Sequence, residues 1–106
     1  MRVAVIGGHD RMGTTLRRVA DELGHDLDFH PGHASGRGAH EIRSLVAWAR
    51  LVFVQTDLNS HNAVHIARTE ADRLGREVVL VKRLGLRALR DELERRGAPS
   101  PLPLAG

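Results

Sequence analysis

The chain has 106 residues, with 42% hydrophobic residues, no cysteine and a net charge of +3 when histidine is neutral. That length argues for one domain with a modest core, and the apolar content argues against wholesale disorder. The lack of cysteine excludes disulfides, thiolate-held zinc, iron–sulfur clusters and thiol nucleophiles within this chain.

Arg2 to Ile6 is short and β-branched and stops at Gly7-Gly8, the pattern of a buried strand and a turn. A first helix is predicted from about Arg11 to Leu23, where Leu16, Val19, Ala20 and Leu23 recur at helical spacing. Asp10 is its predicted N-cap and Gly24 its stop. Asp26 to His30 alternates polar and apolar, as a half-exposed strand does, and Pro31 ends it. The glycine-rich stretch Pro31 to Ala39 is predicted to be a loop, and His40 to Ala49 a second helix. Leu51 to Val54 is an unbroken apolar run, expected of a strand covered on both faces. Turn-forming residues follow, from Asp57 to Ser60. A third helix is predicted from His61 to Leu74, with Ala63, Ala67, Ala71 and Leu74 inward and Gly75 as its stop. Val78 to Val81 is the fourth strand. Leu86 to Arg96 is a fourth helix, with Leu86, Leu89 and Leu93 inward and Gly97 beyond it. The domain is thus expected to span residues 1–97. Residues 98–106, with Pro99, Pro101 and Pro103, are expected to be extended or disordered.

Four strand–helix units predict an α/β fold, a small doubly wound parallel sheet of the flavodoxin/Rossmann-like kind. Right-handed crossovers favour the strand order 2-1-3-4. In that order the switch point lies between strands one and three, flanked by the loops Gly7 to Gly13 and Thr56 to Ser60. The fourth strand is then an apolar edge. Such an edge invites pairing, so a homodimer through it or its neighbouring helix is expected, with cover by the C-terminal tail as the alternative. No apolar run approaches the ~20 residues of a membrane span, and the N-terminus enters a strand directly, so a cytoplasmic protein is expected. Lys82 is the only lysine among 16 basic residues. The basic residues near the C-terminus are interleaved with acids and lack aromatic platforms, so specific nucleic-acid binding is not expected.

Histidine is the chemical signal. There are seven, and His9, His30, His33, His40 and His61 fall in loops or helix starts that follow strands. His65 lies one turn beyond His61, and only His25 sits at the opposite edge. That distribution predicts a ligand site at the carboxyl edge of the sheet. Several chemistries compete for it. The amides opening the first helix, with Arg11 beside them, suit a phosphate or nucleotide, although Gly7-Gly8-His9-Asp10-Arg11-Met12-Gly13 is not G-x-G-x-x-G. Asp28 lies where a ribose-binding acid would be. His61 and His65 share a helical face at a spacing that suits a first-row metal, with Asp57 or His9 able to complete the shell. Haem needs an axial histidine, an apolar slot and cations for its propionates. Asp57 follows the third strand as a phosphoacceptor would, but without the acidic pair and fifth strand of receiver domains. Ser60-His61 has no G-x-S-x-G elbow to make it hydrolytic.

Three stretches carry a resemblance: Val5-Ile6-Gly7-Gly8-His9-Asp10-Arg11, Phe29-His30-Pro31-Gly32, and Thr56-Asp57-Leu58-Asn59-Ser60-His61-Asn62-Ala63. From Val3 to about Leu93 the chain resembles the bacterial family known as domain of unknown function 2325. The resemblance implies a compact α/β domain, dimeric members, and haem binding with a diatomic gas as a further ligand. Gly7, Gly8 and Arg11 carry over from the first motif, and Asp57, Ser60 and His61 from the third. His9, His33, His40 and His65 lie outside the shared pattern.

The expected function is therefore that of a small ligand-binding protein rather than an enzyme. Haem is the first ligand considered, with the site made of Gly7, Gly8, His9, Arg11, His30, Asp57, Ser60 and His61. His61 is the expected axial ligand, with His9 and His30 as further candidates. Arg11 would meet a propionate or phosphate, and Asp57 would cap the third helix or fix an imidazole tautomer. A phosphate- or nucleotide-binding regulatory module and a ligand-free dimerisation domain remain alternatives. Clustered imidazoles would also repel one another when protonated, predicting lower stability near pH 5 than pH 7.

Overall fold

A computed structural model of the protein describes residues 1–96. Its elements are β1 (Arg2–Ile6), α1 (Asp10–Glu22), β2 (Asp26–His30), α2 (Gly38–Trp48), β3 (Leu51–Gln55), α3 (His61–Leu74), β4 (Glu77–Val81) and α4 (Leu86–Arg96). The strands form one parallel sheet in the order β2-β1-β3-β4, a doubly wound α/β domain as the alternation predicts. Among the described residues no helix is long and apolar enough to cross a membrane. The proline-containing segment predicted to be extended lies outside the described residues, as does Gly97.

The two-residue period of the central strands divides the core in two. Val3 and Val5 of β1, with Leu51 and Phe53 of β3, face α1 and α4, where they meet Leu16, Val19, Leu89 and Leu93. Ala4, Ile6, Val52 and Val54 face α2 and α3, where they meet Ile42, Val46, Ala63, Ala67 and Ala71. Every residue of β3 is buried, which is why its sequence is continuously apolar rather than alternating. Each fully buried large side chain here contributes about 1.5–3 kcal/mol relative to exposure. The alanine stripe of α3 lets that helix lie close to the sheet. α3 ends at Gly75, whose φ of 69° is left-handed and whose successor Arg76 donates its N–H to Ala71 O (2.8 Å), a glycine-terminated helix end.

Several boundaries differ from the sequence reading. α1 starts at Asp10, with His9 rather than Asp10 in the N-cap position. α2 starts at Gly38, two residues before His40, and Gly38 packs against the His33 backbone where a side chain would not fit. Leu86 is 38% exposed rather than inward; the buried residue at that end is Leu84, in the turn before α4. Leu84 reaches the core from the loop, so the first turn of α4 has no need of an apolar anchor.

The two edges of the sheet differ. At β2 the outward carbonyl of Leu27 accepts from Arg17 Nε (3.2 Å), and the N–H of Phe29 donates to Asp28 Oδ1 (2.9 Å). Arg17 Nη2 and Asp28 Oδ1 are themselves paired at 2.9 Å. This edge is blunted by charge. At β4 no such cover exists among the described residues.

Candidate functional site

The carboxyl ends of β1 and β3 meet in a closely packed set of turns. Gly7 and Gly8 both have left-handed φ, 99° and 113°, which residues with a Cβ rarely adopt. The Gly7 N–H donates to His30 O (2.8 Å) and the Gly8 N–H to Leu58 O (3.0 Å). Asn59 Nδ2 donates to Gln55 O (2.7 Å) and Ile6 O (3.3 Å), while its Oδ1 accepts from Ser60 N (2.9 Å). One amide therefore links the ends of β1 and β3 to the start of α3. A Cβ on Gly7 would lie 2.6 Å from Asn59 Nδ2, so the glycine is what lets Asn59 approach. Ser60 caps α3: its Oγ accepts from Ala63 N (3.0 Å) and donates to Gly32 O (2.9 Å). Gln55, buried at the end of β3, donates from Nε2 to Gly7 O and accepts at Oε1 from Leu84 N (2.6 Å).

Beside these turns, on the α1 side, lies a crevice of about 380 Å³. Its walls are Met12, Leu58 and Leu84, with Gly8 and Gly85 leaving the space open and His9 and Arg83 as its polar borders. Leu58 is 52% exposed and holds a left-handed φ of 53°, a conformation that costs a branched apolar residue on the order of 1 kcal/mol. Arg83 Nε lies 3.3 Å from Asp57 Oδ2, so a guanidinium is held at the rim. His9 makes no side-chain capping bond. The first amides of α1 therefore have no side-chain acceptor from the N-cap residue.

The structure separates the predicted site residues rather than gathering them in one place. Gly8 and His9 border the crevice, and Asp57 reaches its rim through Arg83. Gly7 and Ser60 belong to the packed turns, in contact with Asn59 and Gly32 respectively. Arg11 is exposed on α1. Asp57 does not cap α3, since Ser60 has that role. His30 is buried with both nitrogens engaged: Nδ1 accepts from Gly32 N (3.0 Å), so Nε2 carries the proton and donates to Glu41 Oε1 (2.9 Å). A metal ligand needs a free lone pair, and His30 offers one only if the Gly32 bond breaks. Asp28, proposed as a ribose acid, is paired with Arg17.

His61 and His65 do share one face of α3, in a second groove with Val64, Arg68 and Val78. His9 does not line that groove. The physical reason is the fold itself: α1 and α3 lie on opposite faces of the sheet, so the starts of the two helices diverge from the switch point. Among the described residues no three histidine, aspartate or glutamate side chains converge as a metal shell. Gln55, Asn59, Met12, Leu58, Arg83 and Leu84 are among the site residues that the predicted set left out. A single amide ending an all-apolar strand was the one available signal, for Gln55.

Residues 2–96 match a family described as an uncharacterized protein conserved in bacteria (DUF2325). The chain belongs to that family. The match runs through all eight elements and both switch-point turns, so the packed turns and the crevice fall inside it. No curated protein and no solved structure matches the chain.

Proposed function

We propose that this protein binds a small ligand in the crevice beside the β1 and β3 turns, as a carrier or sensor rather than a catalyst. The observation that supports this reading is the lining: Met12, Leu58 and Leu84 form apolar walls, while an imidazole and a guanidinium border them. The crevice lies at the carboxyl edge beside the topological switch point, where open parallel sheets take ligands. Its volume is at the lower end of the range for small-molecule sites, about 300–1,000 Å³. The ligand has an apolar body and an anionic group.

Haem is the ligand to test first, since it asks for an axial imidazole, apolar surroundings and a cation for a propionate. His9 would provide the imidazole, Met12, Leu58 and Leu84 the apolar contact, and Arg83 the cation. The preferred axial ligand thereby moves from His61 to His9, because His61 has no comparable apolar wall beside it. Held by one protein ligand, haem would supply an iron position for oxygen or another diatomic gas. The chain's own contribution is to exclude water and orient the bound group. A second reading, a phosphate or nucleotide at the start of α1, is favoured by the absence of a side-chain cap there and by the nearby Arg11. In either case the chain is proposed to act as a cytoplasmic homodimer.

Titration with hemin separates these readings. The expected result is a Soret band in the wild type and in His61→Ala that is lost in His9→Ala. A wild-type protein that gains no Soret band ends the haem reading. Heat stabilisation by ADP or inorganic phosphate, lost in Arg11→Ala, selects the second; ligand linkage predicts about 2.7 kcal/mol at a hundredfold excess over Kd. A negative result in both leaves a ligand-free dimerisation domain.

A further inference from the structure

The two sheet edges are not equivalent, and the difference points to a partner. In β4 the carbonyl of Val81 accepts from Thr56 N across the sheet (2.8 Å). By alternation the N–H and C=O groups of Val78 and Leu80 point outward. Among the described residues these four groups have no hydrogen-bond partner. The corresponding edge of β2 is closed by Arg17 and Asp28. Leu80 is also one of the few large apolar side chains left exposed, at 45%.

We infer that β4 pairs antiparallel with β4 of a second copy, about a two-fold axis at Val79. The inference rests on the homodimer reading and names its interface. It is independent of what the crevice binds. In this register Val78 of one copy and Leu80 of the other exchange both backbone bonds, which satisfies all four outward groups on each chain. Registers shifted in either direction leave some of them unpaired. One shift, centred on Leu80, needs the Lys82 carbonyl, which already accepts from Asp57 N (3.1 Å) in its own chain.

Side-chain chemistry agrees with this pairing. Val78 lines the groove of about 570 Å³ between α3 and the β4 edge, whose walls are otherwise Val64 and polar side chains such as His65, Arg68 and Asp72. Leu80 of the second copy, directly opposite Val78 and on the same face, meets the Val78 side chain at the apolar end of that groove. The exposed leucine and the valine it meets are thus both supplied by every chain, as an isologous interface requires.

The natural lack of cysteine makes the test clean. Directly opposed residues that are not hydrogen-bonded have Cα atoms about 4.5 Å apart, within disulfide range. Val79→Cys is therefore expected to form a covalent dimer on mild oxidation. Leu80→Cys is not, because its two copies are offset along the strands. Leu80→Pro removes an outward N–H without touching the β3 ladder, and is expected to raise the dimer dissociation constant at least ~tenfold with unchanged circular dichroism. Leu80→Lys, which places a charge at the edge, is the second variant should proline impair folding. Sedimentation of the wild type as a monomer at high micromolar concentration would overturn the homodimer reading and this interface together. A dimeric wild type whose Val79→Cys variant stays uncross-linked overturns the interface alone.

Discussion

Asn59 Oδ1 sits where the side chain of residue 32 would have to begin. Gly32 also holds a φ of 99°, so two independent constraints demand glycine. The carbonyl of the same glycine accepts from Ser60 Oγ. Through this contact the loop after β2 is locked to the loop after β3, across the end of β1.

Gly32→Ala is accordingly expected to destabilise the protein by about 2–3 kcal/mol, from backbone strain and displacement of Asn59. Urea unfolding followed by circular dichroism measures this. A loss below about 0.5 kcal/mol, the scale of an ordinary surface change, would show that the loop relaxes freely and that the turns are not locked.

Gln55 both donates to Gly7 O and accepts from Leu84 N. In Gln55→Glu an ionised carboxylate keeps the acceptor but cannot donate, leaving Gly7 O unsatisfied at about 1–3 kcal/mol. Its neutral acid form restores the donor. The stability gap between this variant and the wild type should therefore be larger at pH 8 than at pH 5. A gap independent of pH would mean that Gly7 O finds another donor.

His25 is buried at the opposite end of the sheet, where Nδ1 lies 2.9 Å from the amino group of Met1. Burial lowers its pKa below the ordinary 6.5, and the positive amino terminus lowers it further, against a smaller opposing effect from Asp26. The unfolded chain therefore binds this proton more readily than the folded one. Stability from this group is fully present above the unfolded value near 6.5 and is lost as pH falls below it. Melting temperature should drop between pH 7.5 and 5.5, and the drop should shrink in His25→Gln. A drop of the same size in His25→Gln would show that His25 is not the group responsible.

Leu58 carries a left-handed φ and forms one wall of the crevice. Asparagine adopts that conformation more readily. Leu58→Asn is expected to raise stability by about 0.5–1 kcal/mol while weakening uptake of an apolar ligand such as hemin. A variant that is stabilised with unchanged affinity would place the ligand elsewhere; one that is destabilised would show that Leu58 contributes packing rather than strain.

The sequence was most informative where one residue's surroundings depend on its near neighbours. The unbroken run Leu51–Val54 announces a strand covered on both faces, and the alanines at 63, 67 and 71 announce a helix lying close on a sheet. Handedness then permits only a few strand orders, and 2-1-3-4 is the one observed. The loops that carry His9 and His61 were likewise legible as carboxyl-edge loops. Asp10 and Asp57 were not legible in detail: aspartate is a good cap in general, but His9 and Ser60 occupy the N-cap positions, because the turns end where Gly8 and Asn59 fix the chain.

Composition and periodicity by themselves determined the eight elements, their alternation and the edge at which a ligand would be sought. Tertiary structure decided which side chains share that edge. His9 and His61 begin helices on opposite faces of the sheet, so a doubly wound connection separates them although both follow central strands. Gln55, Arg83 and Leu84, distant in sequence from Gly8 and Met12, close the crevice instead. Local patterns encode the direction of a strand and the face of a helix; the meeting of side chains from different units depends on how twisted strands and crossovers stack, which no short window of sequence contains.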